Sequence, residues 1–456
     1  MTAAQRQVHV AAHFPGVNNA TVWADPASGS HIDAESFLHM ARSAERGLMD
    51  FFFLAEGLRL REHRGRIYDL DVMGRPDTLT ILSAVAAVTE HLGLAGTLSA
   101  TYHEPYELAR QLATLDHLSG GRAGWNCVTT SDAFTGENFR RGGYLLHERR
   151  YDRAVDFIAT ARELWESWPE DPADPGPDAG AYEHVSEFFD LRGRFSVPRS
   201  PQVHPVVFQA GDSDAGREFA AGSADVVFTR HADLAIGQEF YRDVKGRLAG
   251  YGRAQDELKI YPGVSFVLGD TDDDARERAR AVALQQNSDA TVLAFLERVW
   301  NTDLSGYDPD GPLPAIDPVE GRPAVSQGRV DHFQGAKRRA DRWRALAEAE
   351  GLSIRELVIR VSADHSFVGS PASVAEQMST YVQERAADGF ILVPHLTPGG
   401  IDEFVDRVVP ELQERGVYRT AWEGATLREN LGLPAHRPAA AWAAARTARS
   451  AHGVLA

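Results

Sequence analysis

The stretch LDHLSGGRAGWNCVTTSDAFTGENFRRGGYLLHERRYDRAVDFIATARELWESW (residues 115–168) decides the fold of this chain. Within it, a glycine-containing turn at 119–121 leads into a short apolar run at 123–128, which ends in polar side chains at 129–132. A loop follows, and then a helical pattern places His147 and Tyr151 one turn apart. This order predicts a βα unit that carries polar groups at the carboxyl end of its strand.

The same alternation recurs along the chain. Short apolar segments, each followed by a longer segment with helical periodicity, predict parallel βα units. Eight such strands are predicted, at residues 7–13, 50–56, 92–98, 122–128, 205–210, 224–230, 258–268 and 388–394. Eight units close into an α/β fold of the (β/α)8 TIM-barrel type, and an open doubly wound sheet is the alternative.

Two segments interrupt the alternation. Residues 169–204 begin with a Pro-, Gly- and Asp-rich stretch and continue with a pattern that suggests a hairpin, and residues 289–370 combine a long loop with a helical stretch. We therefore predict one barrel domain over residues 1–430, with lid insertions at about 169–204 and 289–370, after units four and seven. Residues 431–456 are predicted to form a C-terminal tail on the surface or against a partner subunit.

Composition excludes several classes of function. The 456 residues carry a formal net charge of −18, which argues against a nucleic-acid groove or an anionic membrane surface as partner. The single cysteine, Cys127, excludes an intramolecular disulfide framework. The N-terminus lacks the layout of a signal peptide, and no apolar run approaches the roughly 18 residues of a membrane span. We expect a cytoplasmic protein.

In a barrel, the polar residues at the carboxyl ends of the strands gather around one mouth. His147 and Tyr151, near the start of a helix, and the turn Gly211, Asp212 and Ser213, before another helix, are candidates for holding a phosphate. The same residues are also consistent with plain packing and with an ordinary helix cap. The chain has no dinucleotide fingerprint after a suitable strand, no P-loop and no HExxH motif. No histidine pair has a metal-ligand spacing backed by a carboxylate pattern, so no metal is predicted.

Five longer motifs carry a resemblance to a known family. They are AERGLMDFFFLAE (44–56), TLDHLSGGRAGWNCVTTS (114–131), HERRYDRAVDFIATARELWESW (147–168), PVVFQAGDSDAGREFAAGSADVVF (205–228) and VVPELQERGVYRT (408–420). With these motifs the chain resembles the two-component, reduced-flavin monooxygenases of the luciferase-like superfamily. The closest branch contains the nitrilotriacetate, dibenzothiophene-sulfone and long-chain alkane monooxygenases and the pristinamycin synthase large subunit.

The resemblance implies that reduced FMN binds across the barrel mouth as a diffusible co-substrate. One oxygen atom of O2 would then be inserted into a small organic substrate through a flavin peroxide, with a separate NAD(P)H:flavin reductase as partner and a homodimer or homotetramer as the assembly. Two alternatives stay open. One is a deazaflavin-dependent hydride-transfer enzyme on the same barrel, and the other is a catalytically silent flavin-binding partner subunit.

Matched position by position, the resemblance assigns FMN contacts to Glu56, Thr97, Ser99, Thr101, Thr130, His147, Tyr151, Gly211, Asp212 and Ser213. The candidates for proton transfer or substrate orientation are His13, Tyr102, His103, Ser131 and His231. Many relatives carry Asp where this chain has Glu56. The alkane enzyme has His where this chain has Ser131, so an acid–base role of that His does not carry over. The first loop also departs, so the substrate is not implied.

Overall fold

Eight parallel strands close into a barrel, which confirms the predicted fold class. The computed structural model describes residues 5–15, 20–55, 57–67, 74, 76–130, 133–139, 145–171, 173–231, 233–328, 335–362 and 366–451. Its strands are β1 (His9–Phe14), β2 (Phe51–Leu54), β3 (Glu62–His63), β4 (Arg66–Ile67), β5 (Gly93–Ser99), β6 (Ala123–Val128), β7 (Ala181–Val185), β8 (Asp190–Arg194), β9 (Val206–Gln209), β10 (Val226–Thr229), β11 (Lys259–Leu268), β12 (Ser326–Gln327), β13 (Ser366–Gly369) and β14 (Gly389–Val393).

The order of the barrel strands is β1, β2, β5, β6, β9, β10, β11 and β14, and β14 pairs with β1 again. β10 also pairs with β11, with Val226 opposite Lys259. Without this pairing the strands would form an open sheet, and with it they form a closed ring. The open doubly wound sheet is therefore wrong for this chain. Each of the eight barrel strands coincides with a predicted strand.

The described ranges contain fifteen α-helices, most of which cover the outside of the barrel. They are α1 (Ala34–Arg46), α2 (Thr78–Ala86), α3 (Pro105–Ser119), α4 (Ala133–Gly136), α5 (Arg150–Glu166), α6 (Asp214–Ser223), α7 (Leu234–Arg247), α8 (Asp272–Gln286), α9 (Asp289–Trp300), α10 (Ala336–Glu350), α11 (Ile354–Ser362), α12 (Pro371–Gln383), α13 (Gly400–Glu414), α14 (Leu427–Asn430) and α15 (Ala439–Ala451). Apolar side chains fill the layer between strands and helices, and a second cluster that includes Phe51, Phe208 and Tyr261 fills the barrel interior. Within the described ranges, none of the helices is both long and apolar enough to cross a membrane.

Three buried aspartates organise the amino-terminal end of the barrel. Asp50, Asp225 and Asp388 each occupy the position directly before a strand, namely β2, β10 and β14. One carboxylate oxygen of each accepts the backbone N–H of the strand next to it, from Val10 at 2.9 Å, Val207 at 2.9 Å and Ile260 at 2.8 Å, respectively. The same type of hydrogen bond therefore fixes the register of three pairs of neighbouring strands.

Each of these aspartates also has a buried cationic partner. Asp50 pairs with Arg419, Asp225 with Arg428 at 3.1 Å, and Asp388 with Lys245 at 2.9 Å. Burial alone would raise the pKa of each carboxyl, but the neighbouring cations outweigh it and hold the pKa below its ordinary value. The carboxylates are therefore charged in the folded protein. Without its aspartate, each cation would be left as an unpaired charge inside the protein.

The first predicted insertion contains the expected hairpin, because β7 and β8 pair antiparallel with Ala181 opposite Arg194. In the second insertion, α9, α10 and α11 enclose a small separate core around Trp300, Trp343 and Leu357. The sequence analysis did not identify α9, nor β13, which pairs with the carboxyl half of β11 outside the closed ring.

A small sheet joins the loop after β2 to the second insertion. Strand β12 pairs antiparallel with β3, and β3 pairs with β4. Next to the pairing, His63 Nε2 lies 2.6 Å from a carboxylate oxygen of Glu297 in α9, and Arg64 pairs with the same carboxylate. Short two-residue strands carry little pattern, so the sequence did not reveal this connection.

The described part of the C-terminal segment packs against the amino-terminal end of the barrel. Leu427 is fully buried and lies so close to β5 that a Cβ added at Gly93 would be 2.5 Å from its side chain. Leu431 is also fully buried, and Trp442 of α15 is 4% exposed. The division of the chain into a barrel, lid insertions and a tail stays a prediction.

We expect Asp50→Asn to lower the free energy of unfolding by about 3–5 kcal/mol, because it removes one charge of a buried pair and leaves Arg419 uncompensated. The urea midpoint measures this. Asp270→Asn is the matched control, since Asp270 pairs with Arg407 at 2.9 Å but its side chain is 91% exposed, and it should cost less than about 1 kcal/mol. Equal effects of the two substitutions would contradict the assignment.

Candidate active site

The carboxyl ends of the barrel strands bring the predicted site residues to one mouth. His13 lies in β1, Thr97 and Ser99 in β5, and the remaining residues follow strands: Thr101, Tyr102 and His103 after β5, Thr130 after β6, Gly211, Asp212 and Ser213 after β9, and His231 after β10. Glu56 and Ser131 lie outside the described residues. Of His147 only the backbone is described, in a 3-10 turn (His147–Arg149) that leads directly into α5.

Tyr151 and the turn after β9 form one corner of this mouth. A Cβ added at Gly211 would lie 2.8 Å from the Tyr151 hydroxyl and 2.4 Å from Gln209 Nε2. Both distances are shorter than real side-chain contacts, so a side chain at this position would displace the ends of Gln209 and Tyr151. The Tyr151 hydroxyl makes no hydrogen bond to the part of the chain that the structure describes, so it can donate to a ligand.

Ser213 adds a second hydroxyl to the same corner. Its Oγ accepts the backbone N–H of Gly216 at 3.1 Å and caps α6, which leaves its own hydrogen available to another acceptor. Asp212 is held beside it, since its carboxylate accepts the Thr229 hydroxyl at 2.8 Å. Two hydroxyls next to a helix N-terminus form a donor set suited to a phosphate.

Two amide oxygens on neighbouring strands have no hydrogen-bond partner within the described part of the chain. Asn126 on β6 donates from Nδ2 to Thr97 Oγ1 at 2.9 Å. Its Oδ1, and Oε1 of Gln209 at the end of β9, are buried without a hydrogen bond among the described residues. Buried side-chain oxygens are nearly always satisfied, so both are acceptors for a bound molecule or water. The sequence analysis missed Asn126, although a polar residue inside the otherwise apolar β6 was a usable signal.

The turn after β5 is held by its own hydrogen bonds. Ser99 Oγ accepts the backbone N–H of Thr101 at 3.2 Å, and His103 Nδ1 donates to the Ser99 carbonyl oxygen at 2.9 Å. The ring of Tyr102 stacks on Phe139 with 4.8 Å between centroids. These contacts order the turn, so its side chains lose little conformational entropy when a ligand binds.

The histidines of the mouth differ in their surroundings. The His13 side chain is buried with its ring 5.4 Å from Phe53, and its Nδ1 has no hydrogen-bond partner in the described ranges. Burial, helped by the charge of Arg230, lowers the pKa of His13 to about 4, so the imidazole is neutral near pH 7. The ring of His231 instead packs on α7, 5.1 Å from Phe240. Within the described residues, no group of three or more metal-ligating side chains is arranged to hold an ion.

The buried neutral imidazole of His13 should make the fold sensitive to acid. Its pKa is about 4 when folded against 6.5 in the unfolded chain, so its contribution is complete above pH 6.5 and is lost as the pH falls towards 4. This contribution amounts to at most about 3 kcal/mol. We expect His13→Gln to reduce the fall in urea midpoint between pH 7 and pH 4.5, whereas His117→Gln, at an exposed position, leaves it unchanged. Identical pH dependence of wild type and His13→Gln would refute this.

Comparison with known proteins identifies a family and several relatives. The family of luciferase-like monooxygenases matches residues 16–389. Nitrilotriacetate monooxygenase component A of Aminobacter aminovorans is 39% identical over 90% of this chain and 93% of its own length. N-acetyl-S-(2-succino)cysteine monooxygenase of Bacillus subtilis is 37% identical over 95% of this chain and 98% of its own.

A solved structure shows the same architecture. The crystal structure of long-chain alkane monooxygenase superposes with a TM-score of 0.78 at 29% identity, covering 96% of this chain and all of that one. The family match spans well over half of the chain, and the relatives match it almost end to end. This chain belongs to the luciferase-like monooxygenase family.

Proposed function

We propose that this protein is the oxygenating component of a two-component system that uses reduced FMN and O2 to oxidise a small organic substrate. The observation that carries the proposal is the corner of Tyr151, Gly211 and Ser213, which offers two hydroxyl donors beside a helix N-terminus, with no side chain at Gly211 to displace the Tyr151 hydroxyl. Reduced FMN, when bound, supplies the electrons that activate O2. The chain's own residues bind it, orient it and keep water out.

The phosphate of FMN is assigned to this corner. The hydroxyls of Tyr151 and Ser213 would donate to phosphate oxygens, and the first turn of α6 adds backbone N–H groups and the positive end of its dipole. His147 stands at the entrance of α5, one helical turn before Tyr151, and is assigned to the same group. Charge-assisted hydrogen bonds of this kind are about twice as strong as neutral ones.

The rest of the cofactor is assigned to the strand ends beside the corner. The unsatisfied oxygens of Asn126 and Gln209 are acceptors for N–H or O–H groups of the bound flavin. Thr97 is part of this wall through its hydrogen bond from Asn126. The remaining predicted FMN contacts, which are Glu56, Ser99, Thr101, Thr130, Gly211 and Asp212, stay in the proposal.

Proton transfer and substrate orientation are assigned to His13, Tyr102, His103, Ser131 and His231. With its lowered pKa, His13 is neutral at pH 7 and can accept a hydrogen bond or a proton, but it does not begin the reaction as an acid. A flavin reductase is the proposed partner, and a homodimer or homotetramer the proposed assembly. The relatives' names cover chemically different substrates, so the substrate class is left at small organic molecules.

Tyr151→Phe and Ser213→Ala should each weaken binding of reduced FMN by about 1–2 kcal/mol, because each removes a hydrogen bond to a charged group. Anaerobic equilibrium titration of the protein with reduced FMN measures the change in Kd.

Two matched variants control for changes in the fold. Tyr106→Phe removes a tyrosine hydroxyl on α3 that contacts Ser196, and Ser370→Ala removes the N-cap of α12 as Ser213→Ala removes that of α6. Both controls should bind reduced FMN as wild type does. Wild-type affinity in Tyr151→Phe and Ser213→Ala would contradict the phosphate assignment.

The proposed reaction is tested by supplying reduced FMN from a generic flavin reductase under 18O2 and screening small organic substrates. We expect a product that carries one 18O atom, detected by mass spectrometry, and no such product when reduced FMN or O2 is omitted. Anaerobic binding of a reduced deazaflavin, with no binding of reduced FMN, would favour a hydride-transfer enzyme and contradict the proposal.

A further inference from the structure

A cavity at the opposite end of the barrel has four arginines among its ten lining residues. It measures about 310 Å³ including its opening and lies between the amino-terminal end of the barrel and the C-terminal segment. Four arginines line it, against two carboxylates: Arg162, Arg253, Arg428 and Arg437, with Asp225 and Glu257. The uncharged lining includes Trp442 of α15. The cavity therefore carries an excess of positive charge.

The two carboxylates do not satisfy these arginines. Asp225 is already used by Arg428 and by the backbone of Val207. Glu257 accepts the backbone N–H of Ala254 at 3.0 Å, and its other oxygen lies 3.7 Å from Arg253 Nε, too far for a hydrogen bond. Neither carboxylate pairs with the remaining buried guanidinium, Arg162.

Arg162 is the residue whose unsatisfied N–H groups indicate a bound ligand. The residue is 2% exposed, and Nη2 donates to the Ser223 carbonyl oxygen at 2.7 Å. Nε and Nη1 are buried without hydrogen-bond partners among the described residues, as is Nε of Arg428. An uncompensated buried guanidinium is strongly unfavourable. Burial and the nearby charges of Arg446, Arg253 and Arg428 lower the pKa of Arg162 to about 9 despite the opposing effect of Asp225.

We infer that this cavity binds a small inorganic oxyanion such as phosphate, through the guanidinium groups of Arg162, Arg428 and Arg437. The planar guanidinium fork matches two oxygens of such an anion. The cavity is small, and its charged lining suits a small anion better than a cofactor. Arg162 belongs to α5 and Arg437 to the C-terminal segment, so the anion would join the two.

The surroundings support this joining role. Three guanidinium groups surround the ring of Trp442, with Arg162 at 4.0 Å, Arg253 at 4.9 Å and Arg437 at 5.1 Å from its centroid. These contacts bring cations together but supply little compensating charge. A bound anion would therefore stabilise α15 on the barrel. The site lies at the opposite end of the barrel from the mouth, and the inference is independent of the proposed reaction.

Thermal unfolding of the full chain with increasing inorganic phosphate at constant ionic strength tests the site. We expect the Tm to rise by about 3 °C when phosphate exceeds its Kd one hundredfold. Arg162→Met and the half-buried Arg437→Ala should lose most of this rise. Arg407→Ala, a half-buried arginine on α13 away from the cavity, and Tyr151→Phe at the mouth should keep it.

No rise in wild type, an equal rise in Arg437→Ala, or a rise that is lost only in Tyr151→Phe would overturn the inference. The last result would place phosphate at the barrel mouth instead. If Arg162→Met fails to fold, Arg437→Ala still decides. Crystals of the wild-type protein soaked in phosphate provide a second measurement, in which tetrahedral density at Arg162 supports the site and water alone overturns it.

Discussion

The barrel depends on three carboxylates that cannot reach water. Asp50, Asp225 and Asp388 each precede a strand and accept a backbone N–H from the first part of the strand that lies before it in the ring. The register of these neighbouring strands is therefore set by charged acceptors as well as by the backbone hydrogen bonds between the strands. A buried carboxylate is stable only with a cation beside it, and Arg419, Arg428 and Lys245 fill that role. Two of these cations come from the segment after the last barrel strand, so that segment is part of what holds the barrel closed.

This arrangement separates the two ends of the barrel. At the amino-terminal end, the three aspartates are paired with cations and tie the strand starts together. At the carboxyl end, polar atoms of Asn126, Gln209 and His13 are buried without hydrogen-bond partners among the described residues. Buried polar atoms without partners in the protein are tolerated where a bound ligand supplies the missing hydrogen bonds. The paired aspartates therefore stabilise the amino-terminal end, and the unpartnered atoms at the carboxyl end remain available to a ligand of the mouth.

Much of the fold followed from the sequence because parallel strands buried on both faces are short and apolar and end at recognisable turns. The eight strands and the helices after them were predicted on that basis, whereas the assignment of Tyr151 and Ser213 to one phosphate was implied by the family resemblance. Asn126 was missed, since a single polar residue within an apolar strand is as easily a packing detail. The aspartates also went unnoticed, although LMDFFF, SADVVF and ADGFIL repeat one pattern at three helix-to-strand junctions. Strands of two residues, such as β3 and β12, leave no periodic trace, and their pairing depends on contacts between segments more than 200 residues apart, Glu62 with Gln327.

That pairing has a consequence for how such enzymes diversify. The loop after β2 and the second insertion share a sheet and the buried carboxylate of Glu297, so neither has a complete set of partners by itself. If one segment alone were replaced by that of a relative, its strand would pair with a strand of different sequence, and the charge of Glu297 or of Arg64 could be left without its partner. The two segments must be inherited, recombined or transplanted together, and variation at this side of the barrel is expected to occur in matched pairs.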